Sequence, residues 1–267
     1  YSFQTMGLKG RALSPVVATV ILTSIMLTTV AVAVYFSTSL IDAHRQRMEY
    51  ESAKELLSYA ATAFEQVALG TGGARYVRFS LTSTSLSFEQ TPYQLQLQIG
   101  GAGSLTLPLR RVSVCAGPLV TTVDNVLYPE GGRLDELEKL LVGAGEPIVL
   151  VYESFSGRAC AHLEARRVRV IYSGVTYVVE DGQQVLYNFY TIHLVNATFG
   201  RLGGAGTIPL VFRNKGVVVY EYKLGTPSIQ VTASLDGISS TTTLSGASNA
   251  RGSIVVVKVS QVEIATG

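Results

Sequence analysis

PVVATVILTSIMLTTVAVAVYFSTSLI, Pro15 to Ile41, runs for 27 residues without Asp, Glu, Lys, Arg, His or Gly. As a helix it covers roughly 40 Å at about 1.5 Å per residue, against a bilayer hydrocarbon core of about 30 Å. A secretory signal carries an apolar run of only about 7–15 residues before its cleavage site. A buried core helix ordinarily keeps a polar stripe. The segment therefore reads as a helix able to cross a membrane. Lys9 and Arg11 precede it with no acid nearby, whereas Asp42, His44, Arg45, Arg47, Glu49 and Glu51 follow with mixed sign. The positive-inside rule then keeps the N-terminus inside and exports the bulk of the chain.

Ser14-Pro15 supplies a helix start, the Ser as cap and the Pro at the first helical position, where its missing N–H costs nothing. Leu13, Ser14 and Pro15 are the expected opening residues. The helix surface is studded with Ala18, Thr19, Thr23, Ser24, Thr28, Ala31 and Ala33. Such small residues favour close contact between helices, a property that a solitary anchor does not need.

The helix is expected to continue past the apolar run, because residues 42–69 contain neither Pro nor Gly. Apolar or small residues recur there in steps of three and four, marking one helical face. Met48, Leu56, Leu57, Phe64 and Val67 are the expected contacts with a head domain. Arg47, Glu49, Glu51, Lys54, Glu55, Ser58, Thr62, Glu65 and Gln66 fall on the other, polar side. Gly70-Thr71-Gly72-Gly73 closes the helix.

Beyond residue 74 the period becomes two. Tyr93-Gln94-Leu95-Gln96-Leu97-Gln98-Ile99 alternates as a strand with one wet face does. Further strands are expected at 76–82, 105–115, 148–153, 167–172, 175–180, 184–195, 207–213, 217–223, 228–234 and 253–264. The turn signals between them include Ser173-Gly174, Asp181-Gly182 and Asn214-Lys215-Gly216. Leu134 to Leu141 reads as the one short helix. Ile254 to Val259 is apolar on both faces, which places that strand inside a sheet. The fold class is α+β: one long N-terminal helix, then an antiparallel β-sandwich-like head. The organisation is a basic stub over 1–12, the helix over 13–70 and the head over 71–267.

Composition removes several functions. The chain has 21 basic and 19 acidic residues, net +2, scattered without a block that would track a nucleic-acid backbone. His44, His162 and His193 are too dispersed for a catalytic or metal site. Cys160-Ala161-His162 shares a face through the pleat alone. Glu180-Asp181-Gly182 is a hairpin turn with solvated carboxylates, and the glycine clusters at 70–73, 100–103 and 203–206 lack the setting of a phosphate loop. Tyr187, Tyr190, Tyr220 and Tyr222 read as half-buried strand tyrosines rather than a sugar-binding face. No catalytic residue, metal site or cofactor is expected. Cys115 and Cys160 form either a disulfide or two buried thiols, since spacing does not decide pairing. The sequon Asn196-Ala197-Thr198 is the one candidate N-glycosylation site.

Lys9-Gly10-Arg11-Ala12-Leu13-Ser14-Pro15-Val16-Val17-Ala18-Thr19-Val20-Ile21-Leu22 resembles the N-terminus of archaeal type IV pilins. The resemblance covers residues 9–40 closely and the helix-then-β plan loosely. It implies a membrane peptidase that trims the basic stub, either between Ala12 and Leu13 or beside Gly10. It further implies an assembly machinery and a helical homo-oligomer with helices bundled in its core. The subunit would pass through the membrane on its way to a cell-surface filament. The related archaeal flagellar subunit usually opens its helix with a GIEA-like stretch, absent here, so the expectation is an adhesive pilus. A monomeric membrane-anchored binding module is the alternative expectation, and an exported enzyme a third.

Overall fold

The computed structural model describes residues 15–70, 72–145, 147–203 and 206–267. The stub over 1–12 and the capping residues Leu13 and Ser14 lie outside them. Helix α1 spans Pro15–Leu69. The strands are β1 (Ala74–Leu81), β2 (Ser85–Ile99), β3 (Gly103–Cys115), β4 (Asn125–Tyr128), β5 (Val142–Gly143), β6 (Val149–Phe155) and β7 (Ala159–Ala165). They continue with β8 (Val168–Glu180), β9 (Gln183–Phe199), β10 (Gly206–Leu224), β11 (Ser228–Leu235), β12 (Ile238–Ser245) and β13 (Gly252–Thr266). A single turn, α2 (Leu134–Leu137), lies between β4 and β5 and is shorter than the expected 134–141.

The strands form a six-stranded sheet, β1-β10-β13-β9-β8-β5, and a seven-stranded sheet, β12-β11-β2-β3-β7-β6-β4. Pairing is mostly antiparallel. Two pairs depart from the expected pattern: β13 runs parallel to β9 over its length, and β5 runs parallel to β8. Strand β13 is interior, as its two-sided apolar run requires.

The long strands serve two cores by switching faces. Val255, Val257 and Val259 of β13 join one core, while Val262 and Ile264, of opposite parity, join the other. Strand β9 divides likewise between Tyr190, Ile192 and Leu194 and then Val195 and Ala197; β3 divides between Leu107 and Leu109 and then Val112 and Val114. Side-chain direction alternates along a strand, so each half of these strands feeds its own core. The expected alternation of β2 is present: Leu95, Leu97 and Ile99 are buried and Gln94, Gln96 and Gln98 exposed.

Two segments expected as turns are β-bulges inside single strands. Tyr172-Ser173-Gly174 shifts register within β8, and Asn214-Lys215-Gly216 does so within β10. Turn-type residues serve bulges equally well, because both need backbone conformations that glycine accepts; Gly174 has φ 108° and Gly216 φ 147°. Asp181 and Gly182, both at positive φ, do form the tight hairpin between β8 and β9.

The compact head begins at Gln46, well before residue 71. Tyr50, Ala53, Leu57, Ala60, Ala61, Phe64, Val67 and Ala68 of α1 are buried in the first core, with Leu56 packed partly buried against it. Phe64 meets Phe212 with ring centroids 5.2 Å apart. Met48 departs from the expected head contact: it is 71% exposed. At 100° per residue it lies about 160° around the helix from Tyr50. Successive steps of four rotate about 40° each, so the series 48, 52, 56 wanders off the buried stripe.

Cys115 and Cys160 are directly opposed across β3 and β7 and are disulfide-bonded. Their separation of 45 residues corresponds to roughly 4 kcal/mol of unfolded-chain entropy, of which engineered and native bridges usually deliver part. The paired substitution Cys115→Ala with Cys160→Ala is expected to lower head stability by about 2–4 kcal/mol. Chemical denaturation of the oxidised protein and the double variant measures this, and equal midpoints would refute it.

Candidate functional site

The apolar part of α1 and its attachment to the head are the features that could do work. The best 18-residue window in the helix has a mean hydropathy of 2.3 and is 0% buried in the chain. Ala18, Thr19, Thr23, Ser24, Thr28, Ala31 and Ala33 are all exposed. Val20, Ile25, Met26, Leu27 and Tyr35 are each more than half exposed. Lone exposed apolar residues need no explanation, but a contiguous apolar surface of this size does.

The five threonine hydroxyls on this surface are turned inward. Thr19 donates to the Val16 carbonyl at 2.9 Å, Thr23 to that of Thr19 at 2.8 Å, Thr28 to that of Ser24 at 2.8 Å and Thr38 to that of Tyr35 at 2.9 Å; Thr29 donates to the Ile25 carbonyl. Each donor is satisfied within its own helix, so the threonines present methyl groups outward. An environment without water, whether lipid or packed helices, then costs them little.

From Gln46 onward the helix is locked to the head by polar side chains that flank its buried stripe. The Tyr50 hydroxyl donates to Glu153 Oε1 at 3.1 Å, Thr122 Oγ1 donates to the same oxygen at 2.7 Å, and Lys54 Nζ lies 3.1 Å from it. Glu153 is 3% exposed; a buried carboxylate is tolerable here because a cation and two hydroxyls complete its shell. Burial and the Glu153 charge push the Tyr50 phenol well above its usual range.

Glu65 accepts from the Ile148 and Val149 N–H groups and from the Tyr128 hydroxyl, with Arg169 Nη2 3.8 Å away. At the far end of α1, Asn214 Nδ2 donates to the Val67 and Gly70 carbonyls, each at 2.9 Å, and Ser260 Oγ donates to that of Ala68. The β10 bulge thereby supplies a cap for helix carbonyls that have no partner inside the helix. Glu49, Lys54 and Glu65, expected on the side opposite the apolar face, instead bind the head from the edges of the buried stripe.

Glu49 accepts from three consecutive N–H groups, Thr82, Ser83 and Thr84, and from the Ser83 hydroxyl at 2.8 Å. Burial pushes its carboxyl up, but these hydrogen bonds together outweigh burial and hold the pKa at about 2. A folded-state pKa below the ordinary 4.5 means that stability from Glu49 is complete above that value and is lost as pH falls toward 2. Glu49→Gln is expected to lower stability at neutral pH and to flatten its decline over that window. A variant that kept the parent's slope in acid denaturation would assign the decline elsewhere.

The histidine, cysteine and tyrosine positions singled out in the sequence have structural surroundings. His162 is buried between Ser113 Oγ at 2.8 Å and Ser154 Oγ at 2.9 Å. Burial and Arg111 push its pKa down. Cys160 is in the disulfide, so the Cys160–His162 pair offers no thiolate. Glu180 accepts from the Tyr187 hydroxyl at 2.8 Å and bridges Lys223 and Arg251 at the hairpin. Tyr187 and Tyr190 are buried, Tyr222 partly buried, and Tyr220 39% exposed.

Asn196 departs from the expected surface sequon. It lies within interior strand β9, opposite Gln261, and its Nδ2 donates to Gln261 Oε1 at 2.8 Å. A glycan on that nitrogen would have to displace a bond inside the sheet. Among the described residues no group of three or more His, Cys, Asp or Glu is placed to hold a metal ion.

No family model, curated protein or solved structure matches the chain.

Proposed function

We propose that the chain is the structural subunit of an extracellular filament of the type IV pilus kind, polymerising through residues 15–41 and serving surface attachment. The observation that carries this reading is the exposed apolar helix surface whose threonine hydroxyls are satisfied internally. Outside lipid, such a surface persists only where other apolar surface covers it. Burying roughly 1,000 Å² per subunit is worth on the order of 25 kcal/mol before association costs. The sequence resemblance at residues 9–22 supports like helices as the cover, and the small residues suit close packing.

The junction supports a mechanical role. The helix enters the head as part of its core, held by Glu49, Lys54, Glu65 and Asn214. Load on the helix would pass into the sheets rather than into a loose linker. Before assembly the same segment would reside in the membrane with the N-terminus inside.

A monomeric membrane-anchored module is the second reading, favoured by the helix being long and apolar enough to span a bilayer by itself. Shearing cells and imaging the released material with an antibody to the head separates the two. Labelled filaments support the subunit reading. Recovery only as detergent-extracted monomer would refute it.

A further inference from the structure

We propose that the β8–β9 hairpin joins two copies of the chain, strand β8 of each pairing antiparallel with β8 of the other about a two-fold axis at Tyr177. The bulge at Tyr172-Ser173-Gly174 prepares this contact. Before it, Val170 and Tyr172 face Ile192 and Tyr190, both core residues. Beyond it, Val175, Tyr177 and Val179 face Asn188, Leu186 and Gln184, which share the parity of Tyr190 and hence its side of the sheet. The bulge thus turns three apolar residues toward the core side, yet they are 48%, 65% and 69% exposed. The opposing sheet does not cover them, and a contiguous apolar surface of this kind marks an interaction site.

The same three residues present an open strand edge. On its far side β8 pairs with β5 only at Val168 and Arg169, and among the described residues no other strand continues that pairing. In a two-residue hairpin with both turn residues at positive φ, the flanking residues, here Glu180 and Gln183, exchange both hydrogen bonds. Alternation then directs the backbone groups of Val178 and Thr176 at β9 and those of Val179, Tyr177 and Val175 outward. Residues 170–179 carry no charge. Exposed edges are ordinarily guarded by charge, Pro or shortness: β1 carries Arg75 and Arg78, and the free half of β10 carries Glu221 and Lys223. Strand β12 is uncharged but offers hydroxyls in place of exposed apolar side chains.

A second copy is the partner that this edge fits, because the strand is self-complementary about Tyr177. A two-fold axis there sets Val175 opposite the other copy's Val179, Tyr177 opposite Tyr177, and Thr176 opposite Val178. The pairs at 175, 177 and 179 all present outward backbone groups and would exchange about six hydrogen bonds. Their side chains meet as β-branched and aromatic pairs, which favour pairing across strands. Glu180 falls opposite Gly174, so no like charges meet. A two-fold contact closes after two copies. It therefore cannot propagate a filament, is distinct from assembly through the helix, and would link anchored monomers equally well. So short an edge is small beside permanent interfaces, and the dimer is expected to exchange.

Single cysteines in the full chain, oxidised in mild detergent and read on a non-reducing gel, test the register. The native cysteines are joined to each other, so each introduced thiol is the only free one. In the proposed pairing the two Cα atoms at 177 lie about 5.5 Å apart, within the span of a disulfide, whereas those at 179 lie roughly 13 Å apart along the strands. Tyr177→Cys is expected to give at least about tenfold more covalent dimer than Val179→Cys, and a mixture of Val175→Cys with Val179→Cys to give the heterodimer. Adding Tyr177→Lys to both chains of that mixture should cut its yield about tenfold, since two ammonium groups would meet at the axis. All three positions are exposed, and unchanged melting temperatures would exclude misfolding. Equal dimer from Tyr177→Cys and Val179→Cys would mark random collision and overturn the proposal. Absence of dimer from Tyr177→Cys or from the mixture would overturn it as well, as would a mixture indifferent to Tyr177→Lys.

Discussion

Ala31→Asp is expected to abolish assembly while leaving the head folded. Residue 31 lies near the middle of the uncharged run and is exposed on the isolated subunit. In a bilayer, one central carboxylate costs about 2.5–3.5 kcal/mol on insertion scales. A 27-residue apolar helix can absorb that, so membrane insertion should survive. A packed bundle is less forgiving, because water and snorkelling are excluded and neighbouring copies would each bring the same charge.

Filament yield should then fall by at least about 100-fold, the equivalent of some 3 kcal/mol per contact. Ala31→Ser should assemble normally, since its hydroxyl can bond its own helix as the native threonines do. The head, which begins at Gln46, should melt at the parent temperature in both variants. Normal filament yield from Ala31→Asp would show that this surface is not the assembly core.

Phe64→Ala should damage the head itself. Phe64 is fully buried and packs on Phe212. Deleting a buried phenyl ring typically costs about 3–5 kcal/mol, which for a domain of this size lowers Tm by roughly 6–20 °C. Met48→Ala, on the opposite side of the helix, should change stability by less than about 0.5 kcal/mol. Comparable losses from the two substitutions would mean that the helix packs through a different face.

That pair of residues also marks what local pattern can and cannot reveal. The helix is readable because residues 15–69 lack Gly and carry Pro only at the first position, and most strands because β-branched and aromatic residues alternate. Which face of α1 is buried depends on the true 3.6-residue period, and counting by fours misplaces Met48. Strand β12 escapes the sequence pattern because Ser239 to Thr243 contains no apolar residue from which to read a period. The parallel pairing of β9 with β13 leaves no local trace, since it depends on which distant strand arrives beside which.

The candidate sites divide in the same way. The apolar helix announces itself in composition. The anchors do not: Glu49, Glu65 and Glu153 look like ordinary surface acids until folding brings N–H groups, hydroxyls and a lysine to them. Asn214 resembles a turn residue and instead caps a helix that ended far earlier in the chain.

Whether residues 15–41 are covered by copies of themselves is open to a cysteine at position 31. The two native cysteines are already joined, so Ala31→Cys introduces the only free thiol. Oxidation of sheared, detergent-free surface material should yield covalently linked subunits that revert to monomer on reduction. Monomer alone, with residue 31 freely labelled by a water-soluble maleimide, would contradict a helix buried among its own copies.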